Sequence, residues 1–389
     1  MEETILIKKF WKHGSLAVLL AVSAFGSVGA ANAEQAKPAK QDLNILTTTQ
    51  LRKLPPLKET DTIVPTGKVK EFTLDVKEEK WELVKGTTVD AITINGTVPG
   101  PEIRVTEGDT VRITVKNNLK EDTSIHWHGL HVPNNMDGVP PFTQDGIKAG
   151  KSYTYEFIAN HAGTFMYHSH LNSVKQIDKG FYGAFIIDPQ KPEAQPKFDQ
   201  DITWMLGGWN VGDMQAMSVN GTMLDKAGMN AEMPDAHGKM TDMAGMDMGM
   251  HTAEGTGSAQ MNMDYNYWTI NGKAFPDTKP LVVKKGQTVR LRLINISNLN
   301  HPMHLHGHDF RVIAEDGHPI SNPQVMNTID IAPGKTYDIE FIADNPGTWV
   351  FHCHELHHTM NGEVEPGGLI GVIQYEGQPA TVQTQSGME

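Results

Sequence analysis

Four histidines fall within the eight residues HPMHLHGH, His301 to His308, and about fifty residues later HCHELHH begins at His352 around Cys353, the only cysteine of the chain. Imidazole suits Zn, Cu, Fe and Ni, and thiolate is a soft metal ligand, so this density points to metal chemistry first. Two further stretches, HWH at His126 and HSH at His168, complete four His-x-His motifs: His126/His128, His168/His170, His304/His306 and His352/His354. In a strand, residues two apart share a side, so each motif presents two imidazoles together. A single histidine is ordinarily a surface or hydrogen-bonded group. Four paired motifs at matched places are not explained that way.

The cysteine narrows the metal. Strand parity sends Cys353 to the face opposite His352 and His354, so one tripeptide can serve two sites on either side of a strand. His301, an odd number of residues from His304 and His306, can likewise face the other way and meet Cys353. His358, in the loop beyond, completes a His2Cys trigonal set, which is the ligand set of an electron-transferring copper. His131, His161, His308, His318 and His357 read as surface or supporting groups, with His357 the nearest rival to His358.

The elements that must position these groups occur twice. PEIRVTEGDTVRITVKNNLKEDTSIHWHG runs parallel to KPLVVKKGQTVRLRLINISNLNHPMHLHG, with eighteen residues from Gly108 to His126 and from Gly286 to His304. IKAGKSYTYEFIANHAGTFMYHSH likewise matches IAPGKTYDIEFIADNPGTWVFHCH. Ungapped spacing of this kind marks one fold used twice. Within each copy TVRITVKN, YTYEFI, TVRLRLIN and YDIEFI alternate at period two and are rich in Val, Ile, Thr and Tyr, the pattern of strands. The reading is all-β, with two antiparallel β-sandwiches over 65–190 and 264–377. Only the second copy holds the mononuclear set, because Ser169 aligns with Cys353, Thr123 with His301 and Val174 with His358.

Residues 191–263 open with the strand-like FDQDITWML and become rich in Met, Gly and Asp, which reads as a linker with a low-complexity segment. Residues 34–64 form an N-terminal arm and 378–389 a tail. At the start, Lys8, Lys9 and Lys12 precede an apolar run from Leu16 to about Val28, and Ala31-Asn32-Ala33 is a small-x-small site, so residues 1–33 read as a signal peptide. Export to the periplasm or beyond is expected, with no stable membrane insertion after cleavage. The 389-residue chain, with 37 Gly, 22 Pro and 20% charged residues, suits a turn-rich globular protein. Its net charge of −13 argues against nucleic acid and anionic membrane as partners and is compatible with metal cations.

At HWHG, HSH, HPMHLH and HCHELHH the sequence resembles the multicopper oxidases, the family of laccases, cuprous oxidases and bilirubin oxidases. The resemblance implies cupredoxin-like Greek-key sandwiches holding copper as cofactor. It implies a type-1 copper on His301, Cys353 and His358, a type-2 copper on His126 and His304, and a type-3 pair on His128, His168, His170, His306, His352 and His354. It implies one-electron oxidation of a phenolic or similar small donor, electrons passing from Cys353 through His352 and His354, and four-electron reduction of dioxygen to water. Asp137 sits where family members carry an acidic residue that assists proton delivery; a turn-forming Asp-Gly is the alternative. The family usually has an axial methionine ten residues after the cysteine, but here that residue is Glu363. Aligning GGLIGVI puts Leu369 at the axial place, with Met360 as the other candidate. Two sandwiches rather than three resemble the small laccases, which assemble as homotrimers with each trinuclear cluster shared between neighbours. The methionines from Met214 to Met250 suggest Cu(I) as a donor, since thioethers favour that ion. A copper-storage protein without turnover and a copper nitrite reductase are the competing readings.

Overall fold

TVRITVKN and TVRLRLIN form the strands Thr110–Asn117 and Thr288–Asn295; the first buries alternate residues, and the second is buried on both faces from Leu291 to Asn295. A computed structural model describes residues 50–58, 63–212 and 265–378; the expected signal peptide, the methionines from Met214 to Met250 and residues 379–389 lie outside these. The first sandwich faces a sheet of Thr87–Ile94, Val69–Val84, Thr110–Asn117 and Ser152–Ile158 against one of Ile103–Thr106, Tyr182–Asp188, Gly163–His168 and His126–His128. The second faces a seven-stranded sheet centred on Thr288–Asn295 and Thr336–Ile342 against a five-stranded sheet. That smaller sheet runs Leu281–Val283, Ile370–Tyr375, Thr348–Cys353, His301–Leu305, Thr328–Ile331.

Two features depart from the sequence reading. Each sheet contains a parallel pair among antiparallel ones: Val69–Val84 with Thr110–Asn117, Ile103–Thr106 with Tyr182–Asp188, Gln200–Trp209 with Thr288–Asn295, and Leu281–Val283 with Ile370–Tyr375. Alternation reveals a strand but not the direction of its partner. Gln200–Trp209, inside the stretch read as linker, is also a strand of the second sandwich, paired with Thr288–Asn295 and Tyr267–Ile270. Its partners lie some ninety residues away or beyond the Met-rich stretch, so no local pattern assigns it.

Each sandwich has its own apolar core. A third cluster, with Leu83, Met166, Tyr182, Met205, Trp209 and Ile294, fills the junction between them. Polar groups also cross that junction. Thr164 donates to Asp338 at 2.5 Å, and the buried Arg292 joins Asp338 and Asp201. From the arm, Leu51 is buried, and Arg311 donates to the carbonyls of Leu54 and Pro55. Among the described residues no helix is long and apolar enough to cross a membrane.

Candidate metal centres

Alternation along His301–Leu305 decides which side each imidazole takes. His301, Met303 and Leu305 are buried, while Pro302 and His304 are partly open on the other face. The partner strand Thr348–Cys353 sets Cys353 opposite Met303 and His352 opposite His304. Cys353 therefore lies inward beside His301, with its two neighbours outward. His358, in the short helical turn Leu356–Thr359, closes the group: Cys353 Sγ lies 3.4 Å from His358 Nδ1 and 3.8 Å from His301 Nδ1, and the two nitrogens are 3.1 Å apart.

This donor set fits one metal ion. Ligand bonds of about 2.0–2.3 Å place donors at such separations. Burial holds His301 at about 3 and His358 at about 4, so both imidazoles are neutral near pH 7 and offer lone pairs. Ser297 Oγ, which donates to Asn295 Oδ1, receives the Nε2–H of His301 at 2.7 Å and so leaves Nδ1 unprotonated. Without an ion, a proton on His358 Nδ1 joins the two nitrogens as a hydrogen bond, and a bound cation takes that proton's place. Burial pushes the Cys353 thiol up to about 12, and a bound cation would reverse that by favouring thiolate. Trp268 covers the pair, its ring centroid 3.8 Å from that of His358 and 5.2 Å from that of His301.

The other eight histidines form two matched sets. In the first sandwich His126 pairs across strands with His168, and its ring lies 5.8, 5.5 and 5.4 Å from those of His128, His168 and His170. In the second, His304 pairs with His352, and its ring lies 4.8, 6.0 and 5.7 Å from those of His306, His352 and His354. Backbone carbonyls set the tautomers. Nδ1–H of His126, His168, His304 and His352 is donated to the carbonyls of Asp137, Ser169, Asn327 and Cys353, at 2.8 to 2.9 Å, which frees each Nε2 as a ligand atom. His128 turns Nδ1 toward His168 Nε2 at 3.3 Å, and His306 turns Nε2 toward His352 Nε2 at 3.0 Å. Burial lowers the pKa of His128, His306 and His352, and brings His168 to about 3. His170 and His354 are exposed, and among the described residues every ring contact of these eight stays within its own set.

Asp137 Oδ1 lies 3.3 Å from His126 Nδ1. The turn that carries it depends on Gly138, at φ +79°, where an added Cβ would meet the Ile125 carbonyl oxygen at 1.6 Å. Leu369 is wholly buried in the apolar cluster that contains Cys353, whereas Met360 is partly exposed and outside it. His357 is exposed. His308 is buried, donating Nδ1–H to the His306 carbonyl and meeting the Tyr375 hydroxyl at 2.8 Å, so it braces the strand end that carries His306.

Sequence reading missed three residues. Ser297 and Trp268 carry no motif of their own. Comparison of the repeats was the available signal: Ser297 aligns with Leu119 and Trp268 with Ile92, so both differ where the histidine and cysteine differ. The third is Gln176. Val174, aligned with His358, is 41% exposed, and the buried Gln176 fills the equivalent space instead. Its Oε1 accepts from Thr123 Oγ1 at 2.7 Å and Ser169 Oγ at 2.5 Å. Three hydrogen-bonded polar groups thus stand in the first sandwich where the second gathers two imidazoles and a thiol.

Two family models described as multicopper oxidase match residues 75–192 and 247–364. The chain is similar to Copper resistance protein A of Escherichia coli, 34% identical over 279 residues that cover 69% of this chain and 45% of that protein. It is also similar to Laccase-2 of Oryza sativa subsp. japonica, 30% identical over 329 residues, 79% of this chain and 52% of that one. The chain spans about half the length of these curated relatives. Among solved structures, a blue copper oxidase from Nitrosomonas europaea superposes with a TM-score of 0.66 at 32% identity, covering 83% of this chain and 92% of that chain.

Proposed function

The chain belongs to the multicopper oxidase family, and we propose that it is a laccase-like enzyme that takes single electrons from small donors and passes four of them to dioxygen. The observation that carries this reading is the placement of His352-Cys353-His354. Its thiol lies inside with His301 and His358, and its imidazoles lie outside with His304 and His306, so one covalent tripeptide joins two donor sets. His301, Cys353 and His358 would hold a type-1 copper, with Leu369 buried in the same apolar cluster as the thiol. His126 and His304 would hold a type-2 copper, and His128, His168, His170, His306, His352 and His354 a type-3 pair. Copper held there would supply one-electron acceptance from the donor and the four-electron reduction of dioxygen to two waters.

The protein's own part is to orient and insulate. Ser297 and the backbone carbonyls fix which imidazole nitrogen carries the lone pair. Trp268 and the surrounding core keep water from the thiol. Asp137 can accept a proton from solvent and present it beside His126. Leu356 and Val364, 60% and 65% exposed, lie on either side of His358 in the sequence and offer apolar surface to a phenolic ring. The methionines from Met214 to Met250 and the similarity to a copper resistance protein favour Cu(I) as a second donor.

The two four-imidazole sets each lie partly open and share no ring contact among the described residues, which supports their union across subunits in a homotrimer. The leader-like start of the sequence supports export. A nitrite reductase reading needs the thiol site in the first sandwich, where Thr123, Ser169 and Gln176 satisfy one another.

Spectroscopy and kinetics test the assignment. Cys353→Ser is expected to lose the intense thiolate-to-copper absorption, keep up to three coppers and stop oxidising donors; a variant that stays blue removes Cys353 from the site. Oxygen uptake with a panel of phenols and Cu(I) then ranks the donors. Absence of uptake with every donor makes the protein a carrier.

A further inference from the structure

The aromatic cover of the inner donor set continues toward the surface. The Trp268 ring lies 3.8 Å from that of His358 and 5.2 Å from that of His301, and the Tyr265 ring meets Trp268 edge-on at 5.3 Å. Trp268 is buried, whereas Tyr265 is partly exposed. Both rings lie over Gly208, the residue paired with Trp268 on the neighbouring strand Gln200–Trp209. A Cβ added there would come within 2.9 Å of each ring, so glycine is what lets the two rings meet.

The phenol end is built as well. Tyr265 donates its O–H to Asp178 Oδ1 at 2.6 Å and accepts from Asn298 Nδ2 at 2.8 Å. Asp178 ends the helix Ser173–Asp178 of the first sandwich, so the contact spans the junction. Burial raises the pKa of that carboxyl against the lowering by the Tyr265 hydrogen bond, which makes it a stronger base than an exposed aspartate. The fold itself does not require large rings here. In the first sandwich, which lacks the thiol site, Val89 and Ile92 align with Tyr265 and Trp268. Tyrosine and tryptophan are the aromatic side chains most readily oxidised by one electron, and a phenol that loses an electron becomes a strong acid. A carboxylate already holding its proton makes that oxidation easier.

We propose that Tyr265 and Trp268 form an electron path between the surface and the type-1 site, with Asp178 as the proton acceptor of Tyr265. The path rests on the oxidase reading above. One electron leaves Tyr265 through the indole of Trp268 and reduces a cupric ion held by His301, Cys353 and His358 to cuprous, while the phenol proton moves to Asp178. Tyr265 is left as a neutral radical beside a protonated carboxyl. A small one-electron donor at the surface then returns the electron, Asp178 returns the proton, and tyrosine is restored. The path thereby supplies an electron when a protein holding fewer than four meets dioxygen.

The test creates that shortage. Copper-loaded protein is reduced anaerobically with three electron equivalents, freed of donor, mixed with dioxygen and rapidly frozen for electron paramagnetic resonance. Two waters require a fourth electron, so wild-type protein is expected to show a tyrosyl radical. Tyr265→Phe keeps a ring over Gly208 and is expected to lose the radical while its blue absorption stays. Asp178→Asn keeps a hydrogen-bond acceptor but not a base, and is expected to lose the radical with the same unchanged absorption. A tyrosyl signal that persists in Tyr265→Phe, an undiminished signal in Asp178→Asn, or wild-type protein that consumes dioxygen without any radical overturns the path. Reduced protein that consumes no dioxygen overturns the oxidase reading, and the path with it.

Discussion

A buried imidazole that stays neutral makes a protein sensitive to acid. His168 and His301 are brought to about 3, and His358 to about 4, chiefly by burial, against about 6.5 in an unfolded chain. Above about pH 6.5 neither state binds these protons, and the stability they permit is fully present. As pH falls from there toward the folded values, the unfolded chain takes up protons that the folded chain refuses, and stability is lost. His168 and His301 alone give a slope of up to about 3 kcal/mol per pH unit near pH 5. Urea midpoints of the copper-free protein are therefore expected to drop steeply between pH 6.5 and 4.5, and to drop less with copper bound, because the ion competes with protons for the same lone pairs. A flat midpoint in the copper-free protein would contradict the burial of these rings.

At the scale of elements, the short helix Ser173–Asp178 delivers Gln176 into the first sandwich. Its amide nitrogen donates to Glu121 Oε1 at 3.1 Å and to the Asp122 carbonyl at 3.3 Å, while its oxygen takes both buried hydroxyls. Gln176→Ala removes that acceptor and opens a cavity, which together cost about 2–4 kcal/mol. Urea unfolding should show the loss. Blue absorption should persist, because the ligands of the second sandwich are untouched, and its disappearance would mean that the two places are coupled. Equivalent asparagines do matching work in both halves. Asn117 and Asn295 each donate to two carbonyls, those of Glu121 and Ile147 and those of Leu299 and Ile331, which pins the loops leading to Thr123 and His301.

Assembly belongs to the whole molecule. If each cluster unites the first sandwich of one subunit with the second of a neighbour, activity requires association. Mixing inactive His168→Ala with inactive His352→Ala protein, after dissociation and reassembly, is then expected to restore part of the oxygen uptake. One interface of a mixed trimer joins two intact sets, and the His168→Ala subunit supplies an intact Cys353. Clusters within single subunits would each retain a defect and recover nothing. An active monomer by light scattering, or mixed trimers without recovery, rejects the shared-cluster arrangement.

Strand period and repeat spacing were legible in the sequence because both are local. They are enough to show two like sandwiches, four His-x-His pairs and a cysteine turned away from its neighbours, since a period of two leaves no other choice once a strand is recognised. Packing decided what lies around those groups. Ser297 and Trp268 reach His301 and His358 from other segments. Gln176 takes the place that alignment assigned to Val174, because the helix Ser173–Asp178 turns Val174 out to solvent and Gln176 inward. Gln200–Trp209 enters the second sandwich beside a strand far along the chain, and parallel pairing leaves no mark on alternation. Asp178 and Tyr265 meet only because the sandwiches dock. Contacts between distant segments are chosen by the complementary shapes and charges of folded surfaces, and no short window of sequence contains both sides of such a choice.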